Sequence, residues 1–168
     1  MTTATPVPNL REQRKSSRYE RVMNRAWCAI VGSGILPKSW PGKPRLGSTT
    51  LKIRGRRSGI VRTIPVTWVE VDGERYLVAM LGEQSDWVHN ARAVDGRVRF
   101  RRGRTRGALI TELPVDERAP ILQAWYRRVG RSTPHKYIGL DSRAPLEEFE
   151  RIASKWPVFR IESPGAMP

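Results

Sequence analysis

At 168 residues, 39% of them hydrophobic and 28% charged, the chain is long enough for one domain with a sizeable core and too apolar to be disordered. Net charge is +15, carried by 25 arginines against 6 lysines; the first 25 residues hold six basic and two acidic side chains, so +11 stays with the folded part. Such a field selects anionic partners (nucleic acid, anionic lipid, a phosphorylated cofactor) without choosing among them. Cys28 is the sole cysteine, which excludes an intrachain disulfide and fits a reducing, cytoplasmic address.

Residues 1–15 lack periodicity and read as a mobile leader; 16–168 read as a single domain beginning with a helix. Ser17 and Glu20 form a capping box, and Tyr19, Met23, Ala26, Trp27 and Ile30 recur at helical spacing until Gly32 and Gly34. That stripe is expected to face the core, with a membrane-surface role as the alternative. The apolar run from Ala26 to Leu36 is interrupted by glycines and spans about 11 residues, where a bilayer needs about 20. Pro37 to Gly47 is a connector.

From Ser48 the pattern turns to strands, expected at 48–54, 61–71 and 75–81, the last two joined by Asp72-Gly73. Ser85 is the expected N-cap of a short helix with Asp86 in its first turn. Strands at 97–102 and 105–112 make a hairpin around Gly103, and a helix over 116–129 carries Leu122, Trp125, Tyr126 and Val129 on one face, with Pro120 in its first turn or kinking it. A last helix over 145–154 and a closing edge strand at 157–161 complete an α+β chain whose antiparallel sheet is expected to curl into a barrel.

Three segments bear on chemistry. Lys52 to Arg62 is a glycine-flanked turn carrying Arg54, Arg56, Arg57 and Arg62 between two strands. Guanidinium forks, free backbone N–H groups and the Ser58 hydroxyl make it an anion cradle or, equally, a solvated hairpin tip. Arg97 to Arg106 holds six arginines, with Arg97, Arg99 and Arg101 on one strand face and Val98 and Phe100 on the other. No aromatic platform interrupts the arginines, so a solvated face is favoured over a nucleic-acid ribbon. Gly82 to Asn90 ends in a helix start where Trp87 stands as a planar wall or as a buried anchor. His89 and His135 are far apart and share no metal-ligand spacing with Cys28, and no nucleophile elbow, dinucleotide fingerprint or phosphate loop is present. A chain without acid, base or nucleophile is an enzyme only if a cofactor brings the reactivity.

In their order these pieces resemble the deazaflavin-dependent nitroreductase family, split-barrel reductases that use coenzyme F420. Gly55-Arg56-Arg57-Ser58-Gly59, Arg62 and Pro65-Val66 match its first motif, Gly82, Trp87 and Asn90 its second, and Pro157-Val-Phe its closing strand, over roughly residues 45–162. The resemblance implies a flavin-reductase-like antiparallel split β-barrel with flanking helices. It implies that Arg56, Arg57, Ser58, Gly59 and Arg62 grip the phosphate and glutamate tail of F420, and that the backbone at Pro65 and Val66 meets the ring edge. Gln84, Ser85, Asp86, Trp87 and Asn90 then close over the ribityl chain. Hydride would pass to an electron-poor acceptor: a quinone, nitroaromatic or activated alkene. Tyr126 and Tyr137 are the pocket hydroxyls expected by region, while Lys52 and Arg54 remain background charge. The chain departs from the family in Arg57, where lysine is usual, in Glu83, where a second glycine is common, and in Val88, where tyrosine is frequent.

The expected function is therefore an F420-dependent oxidoreductase, FMN being the less favoured cofactor and no metal being implied. Its alternatives are a non-catalytic cofactor- or lipid-binding barrel and a basic nucleic-acid-binding protein. Peripheral membrane contact through the first helix is admitted, and the oligomeric state, monomer or homodimer, is left open.

Overall fold

Val98 and Phe100 are buried while Arg97, Arg99 and Arg101 between them are exposed, the period-two signature of a half-buried strand. The same alternation, written over six segments, closes a sheet. The computed structural model describes residues 18–33, 45–129, 138–141 and 143–162, with side chains of the first helix from Arg25 onward. Its elements are α1 (Arg18–Ser33), β1 (Leu46–Arg54), β2 (Val61–Val71), β3 (Glu74–Val78), α2 (Asp86–Ala93), β4 (Arg97–Arg102), β5 (Arg104–Glu112), α3 (Val115–Val129), α4 (Leu146–Ile152) and β6 (Val158–Ile161). Short 3-10 turns occupy Gly82–Gln84 and Ala153–Lys155. The leader, Ser17 of the capping box, most of the connector and Tyr137 lie outside the described residues.

All strand pairs are antiparallel and the order β1-β2-β3-β6-β5-β4 closes on itself, β4 returning to β1 through Lys52 opposite Arg99. The barrel interior is filled by Leu51, Ile53, Trp68, Leu77, Val98, Phe100, Ile110 and Phe159. Burying a large apolar side chain such as Phe100 contributes about 2–3 kcal/mol. A second cluster lies between the outer barrel wall (Leu46, Val69, Val158) and the helical layer, where Leu122, Trp125 and Tyr126 of α3 meet Phe149 of α4.

Several expectations are corrected. The closing strand is not an edge: β6 pairs with β3 through Leu77 opposite Phe159 and with β5 through Ile110 opposite Ile161. β3 ends at Val78: the Ala79 N–H still follows the β3–β6 register to the Pro157 carbonyl, and the chain then turns, the Gly82 N–H donating to the Ala79 carbonyl. α3 begins at Val115, which puts Pro120 in its second turn, where it leaves the Asp116 carbonyl without its helical donor. Ser85 stands at the start of α2, yet its side chain makes no capping hydrogen bond.

The first helix also differs. Ala26, Trp27 and Ile30 of the apolar stripe are exposed, whereas Val31 and Gly32 are buried. α1 rests through its C-terminal end: a Cβ at Gly32 would come within 2.8 Å of Thr50 Oγ1, and the Gly32 carbonyl accepts from the Gly103 N–H at 2.9 Å. Close approach of small residues seats the helix, so the larger apolar residues are left facing out.

Candidate functional site

The β1–β2 hairpin ends in the turn Gly55-Arg56-Arg57-Ser58-Gly59. Gly55 N–H donates to the Ile60 carbonyl and Gly59 N–H to the Gly55 carbonyl, each at 2.9 Å. Gly59 has φ +66, a conformation open to glycine. Ser58 Oγ accepts from the Ile60 N–H at 3.3 Å, which fixes the hydroxyl and leaves its proton free. The N–H groups of Arg57 and Ser58 have no partner among the described residues. Both side chains are exposed, and Arg57 faces no carboxylate among those residues. Successive free amides beside a guanidinium make an anion nest.

Arg56 has a different part. Asn90 Oδ1 accepts from its backbone N–H at 3.1 Å and from its Nη1 at 3.0 Å. Nη1 also donates to the Asp86 carbonyl at 3.3 Å, and Nη2 reaches Asp86 Oδ1 at 3.4 Å. Most of its fork is therefore committed to holding the turn against the start of α2, and Arg57 is the freer cation.

Arg62 opposes Ile53 in the β1–β2 ladder and shares strand parity with Ile64, Val66 and Trp68, so it stands at the mouth of the barrel on the inward face. β3 pairs with β2 only from Trp68 onward. Among the described residues, 61–67 of β2 thus pair with β1 alone, and the Cys28 thiol of α1 donates to the Thr63 carbonyl at 3.8 Å. Pro65 and Val66, both half-buried, lie on this stretch.

Across the mouth, Gln84 and Asp86 are exposed and Ser85 is buried. Trp87 is half-buried, its ring tilted 51° against Phe159 at a centroid distance of 5.2 Å. It thus anchors the start of α2 while part of its surface stays accessible. Gly82 has φ +61, and a Cβ there would sit 2.5 Å from the Lys155 carbonyl oxygen, so only glycine fits.

A charged network that the sequence did not disclose braces this loop. Arg92 of α2 gives bidentate bonds to Glu83 (2.8 and 2.8 Å) and to Glu112 of β5 (2.7 and 2.7 Å). Glu112 also accepts from the buried Arg118 of α3 at 2.8 Å, and Arg118 donates to the Leu113 carbonyl at 2.9 Å. Hydrogen bonds from Arg92 hold the Glu83 carboxyl below the ordinary carboxylate range, and bonds from Glu112 and then Glu83 raise the Arg92 guanidinium. The four partners come from separate elements, so no local spacing announces them.

The structure brings together Arg56, Arg57, Ser58, Gly59, Asp86 and Asn90 directly, with Arg62, Pro65, Val66, Gln84, Ser85 and Trp87 on the flanking segments. Tyr126 sits elsewhere. It packs edge-on against Phe149 in the helical layer, and its hydroxyl donates to the Leu140 carbonyl. Burial, with Asp141 nearby, raises its pKa.

The six-stranded antiparallel barrel thus brings the arginine turn, the β2 stretch and the start of α2 to one end. The family model described as F420H2-dependent quinone reductase matches residues 19–143, and the chain belongs to that family. It is an oxidoreductase whose cofactor is coenzyme F420. The chain matches no curated protein. Among solved structures it is similar to an F420-H2 dependent reductase, FDR-A, at 20% identity over 68% of this chain and 93% of that one, TM-score 0.39. It is also similar to a conserved hypothetical protein of Mycobacterium tuberculosis, at 22% identity over 70% and 72% of the two chains, TM-score 0.41.

The donor set fits the cofactor. An end bearing phosphate and carboxylates asks for free amides and guanidinium groups, which Arg57, Ser58 and Arg62 offer. A planar ring with polar edges asks for backbone polar groups beside apolar surface, and Pro65 and Val66 lie half-buried on the stretch of β2 that pairs only with β1 among the described residues.

Proposed function

We propose that this protein reduces a quinone with F420 held between the Gly55–Gly59 turn and the start of α2. The observation that carries the reading is the Arg56–Asn90 clamp, which fixes the two motifs into one mouth while leaving the Arg57 and Ser58 amides free. When bound in its reduced form, the cofactor supplies a hydride. The chain's own residues orient and enclose. Arg57, Ser58, Gly59 and Arg62 hold the anionic end, and Arg56 acts by positioning the turn. Backbone at Pro65 and Val66 meets the ring edge. Gln84, Ser85, Asp86 and Trp87 close over the middle, Trp87 excluding water from one side.

Tyr137 is the hydroxyl we assign to the acceptor pocket, on sequence position alone; Tyr126 acts through packing, since its proton is already given to Leu140. A quinone is preferred to a nitroaromatic because of the family's own description. No helix among the described residues is long and apolar enough to cross a membrane. Peripheral contact with a lipid surface, on the cytoplasmic side, is supported by Trp27 and Ile30, which are 44% and 48% exposed beside Arg25 on α1.

The test is steady-state oxidation of reduced F420 with a soluble quinone and with a nitroaromatic at equal concentration. The reading expects the quinone to have the higher kcat/KM, and turnover of the nitroaromatic alone would overturn the acceptor assignment.

A further inference from the structure

The segment that covers the cofactor mouth is stapled at both ends. Glu83 precedes it and Arg92 follows it, and the two are joined by parallel bonds, Nη1 to Oε2 and Nη2 to Oε1, each at 2.8 Å. Gln84, Ser85, Asp86, Trp87 and Asn90 all fall between them. Local support is thin at the start of this segment: the Ser85 side chain makes no capping bond, and Gln84 and Asp86 are exposed.

The same guanidinium turns its other edge to Glu112 of β5, Nε to Oε2 and Nη2 to Oε1, each at 2.7 Å. Glu112 Oε1 also accepts from Arg118 Nη2 at 2.8 Å. The buried Arg118 donates in turn to the carbonyl of Ala153, in the short turn at Ala153–Lys155. Gly82 abuts the Lys155 carbonyl of that turn so closely that a Cβ would sit 2.5 Å from it. The contacts thus run in a closed ring through the loop, α2, β5, α3 and the 153–155 turn, and they hold the loop at two successive residues, Gly82 and Glu83. Two cations and two carboxylates leave the ring neutral in a chain of net charge +15, so it is not itself a site for an anion. Arg92 and Glu83 are 38% and 41% exposed, and an ion pair in that setting adds little to global stability. Its effect falls on where the loop rests.

We propose that Arg92 is a positioning residue for coenzyme F420: through Glu83 it fixes the Gln84–Trp87 loop in its covering place before the cofactor arrives, so that binding does not have to order the loop. The inference rests on the assignment of that loop to the cofactor. Among the described residues Arg92 hydrogen-bonds to Glu83 and Glu112 and to none of the residues assigned to F420, so it acts through Glu83.

The test is fluorescence titration of F420 into the native chain, Arg92→Gln, Glu83→Ala and the double variant, with hydrogen exchange measured on each without cofactor. Arg92→Gln leaves Glu112 paired with Arg118, and Glu83→Ala leaves Arg92 paired with Glu112, so neither strands a carboxylate. Far-ultraviolet circular dichroism confirms that the variants fold. Each single variant is expected to weaken F420 binding about fivefold, and the double variant no further than either. Amides of residues 83–87 exchange faster in the variants while the barrel strands keep native exchange. KM for F420 rises, and kcat at saturating cofactor is held. The sign of the Glu83→Ala effect separates positioning from a long-range field, in which losing Arg92 weakens an anionic ligand and losing Glu83 strengthens it. Tighter binding by Glu83→Ala therefore overturns the proposal. Arg151→Gln, which breaks the Arg151–Glu148 pair on α4, is expected to keep native affinity, and weakening equal to that of Arg92→Gln overturns the proposal too. Native affinity in Arg92→Gln and Glu83→Ala, whatever their unfolding midpoints, reduces the ring to a structural role and overturns the proposal while leaving the cofactor reading standing. Failure of the native chain to bind F420 overturns that reading and the proposal together.

Discussion

The side-chain oxygen of Asn90 accepts two hydrogen bonds from Arg56, one from its backbone at 3.1 Å and one from its guanidinium at 3.0 Å. One buried amide thereby couples the tip of the β1–β2 hairpin to α2, and in the proposed site it is what holds the two motifs together. Asn90→Ala strands two donors and is expected to cost about 1–3 kcal/mol of stability. It should also weaken F420 binding, because the turn is no longer held. Asn90→Asp, which keeps the acceptor, should recover binding more fully than Asn90→Ala; denaturant unfolding together with cofactor titration reads both effects.

Gly82→Ala is expected to be more damaging than its distance from the arginine turn implies. The added Cβ would meet the Lys155 carbonyl at 2.5 Å with φ at +61, and backbone strain of this kind costs on the order of 1–3 kcal/mol. The loop carrying Gln84 to Trp87 must then shift. Thermal unfolding should show the loss, and Trp87 fluorescence a changed environment.

The Glu83–Arg92 pair makes a pH prediction. The Arg92 hydrogen bonds hold the folded-state pKa of Glu83 below the ordinary value for a glutamate carboxyl. A depressed carboxylate contributes stability that is present above the unfolded value and lost as pH falls through the folded one. Glu83→Gln should therefore destabilise at neutral pH, and the gap between variant and native chain should narrow below about pH 4.5, as unfolding midpoints against pH will show. Both partners are substantially exposed, so the gap is small.

Tyr126→Phe removes the hydroxyl bonded to the Leu140 carbonyl within the helical layer. A loss of about 1 kcal/mol in stability is expected, with kcat for quinone reduction little changed. A large fall in kcat with the midpoint of unfolding unmoved would instead return Tyr126 to the acceptor pocket.

Much of the barrel was legible because period-two alternation survives in the sequence. β2 spans 61–71 and β4 spans 97–102, as their patterns require. What escaped was non-local. β6 reads as an edge because nothing in Pro157-Val-Phe-Arg-Ile161 reveals that strands 80 and 50 residues away flank it on both sides. The outward turn of Trp27 and Ile30 follows from the close seating of Gly32 on Thr50, a contact between distant residues. At the site, the motif glycines and Asn90 could be picked out by spacing, while the division of labour within the turn could not. Arg56 and Arg57 are neighbours of one chemical type, and only the fold commits the first to Asn90 and leaves the second free.

In the proposed function the arginine turn seats the cofactor's anionic end. The most direct measurement of that role is fluorescence titration of F420 into the native chain and into Arg57→Ala/Arg62→Ala, two exposed residues whose loss leaves the Arg56–Asn90 clamp intact. Saturable binding by the native chain, weakened on the order of a hundredfold in the variant with its unfolding midpoint unchanged, is the predicted result. Equal affinity of native chain and variant would contradict it.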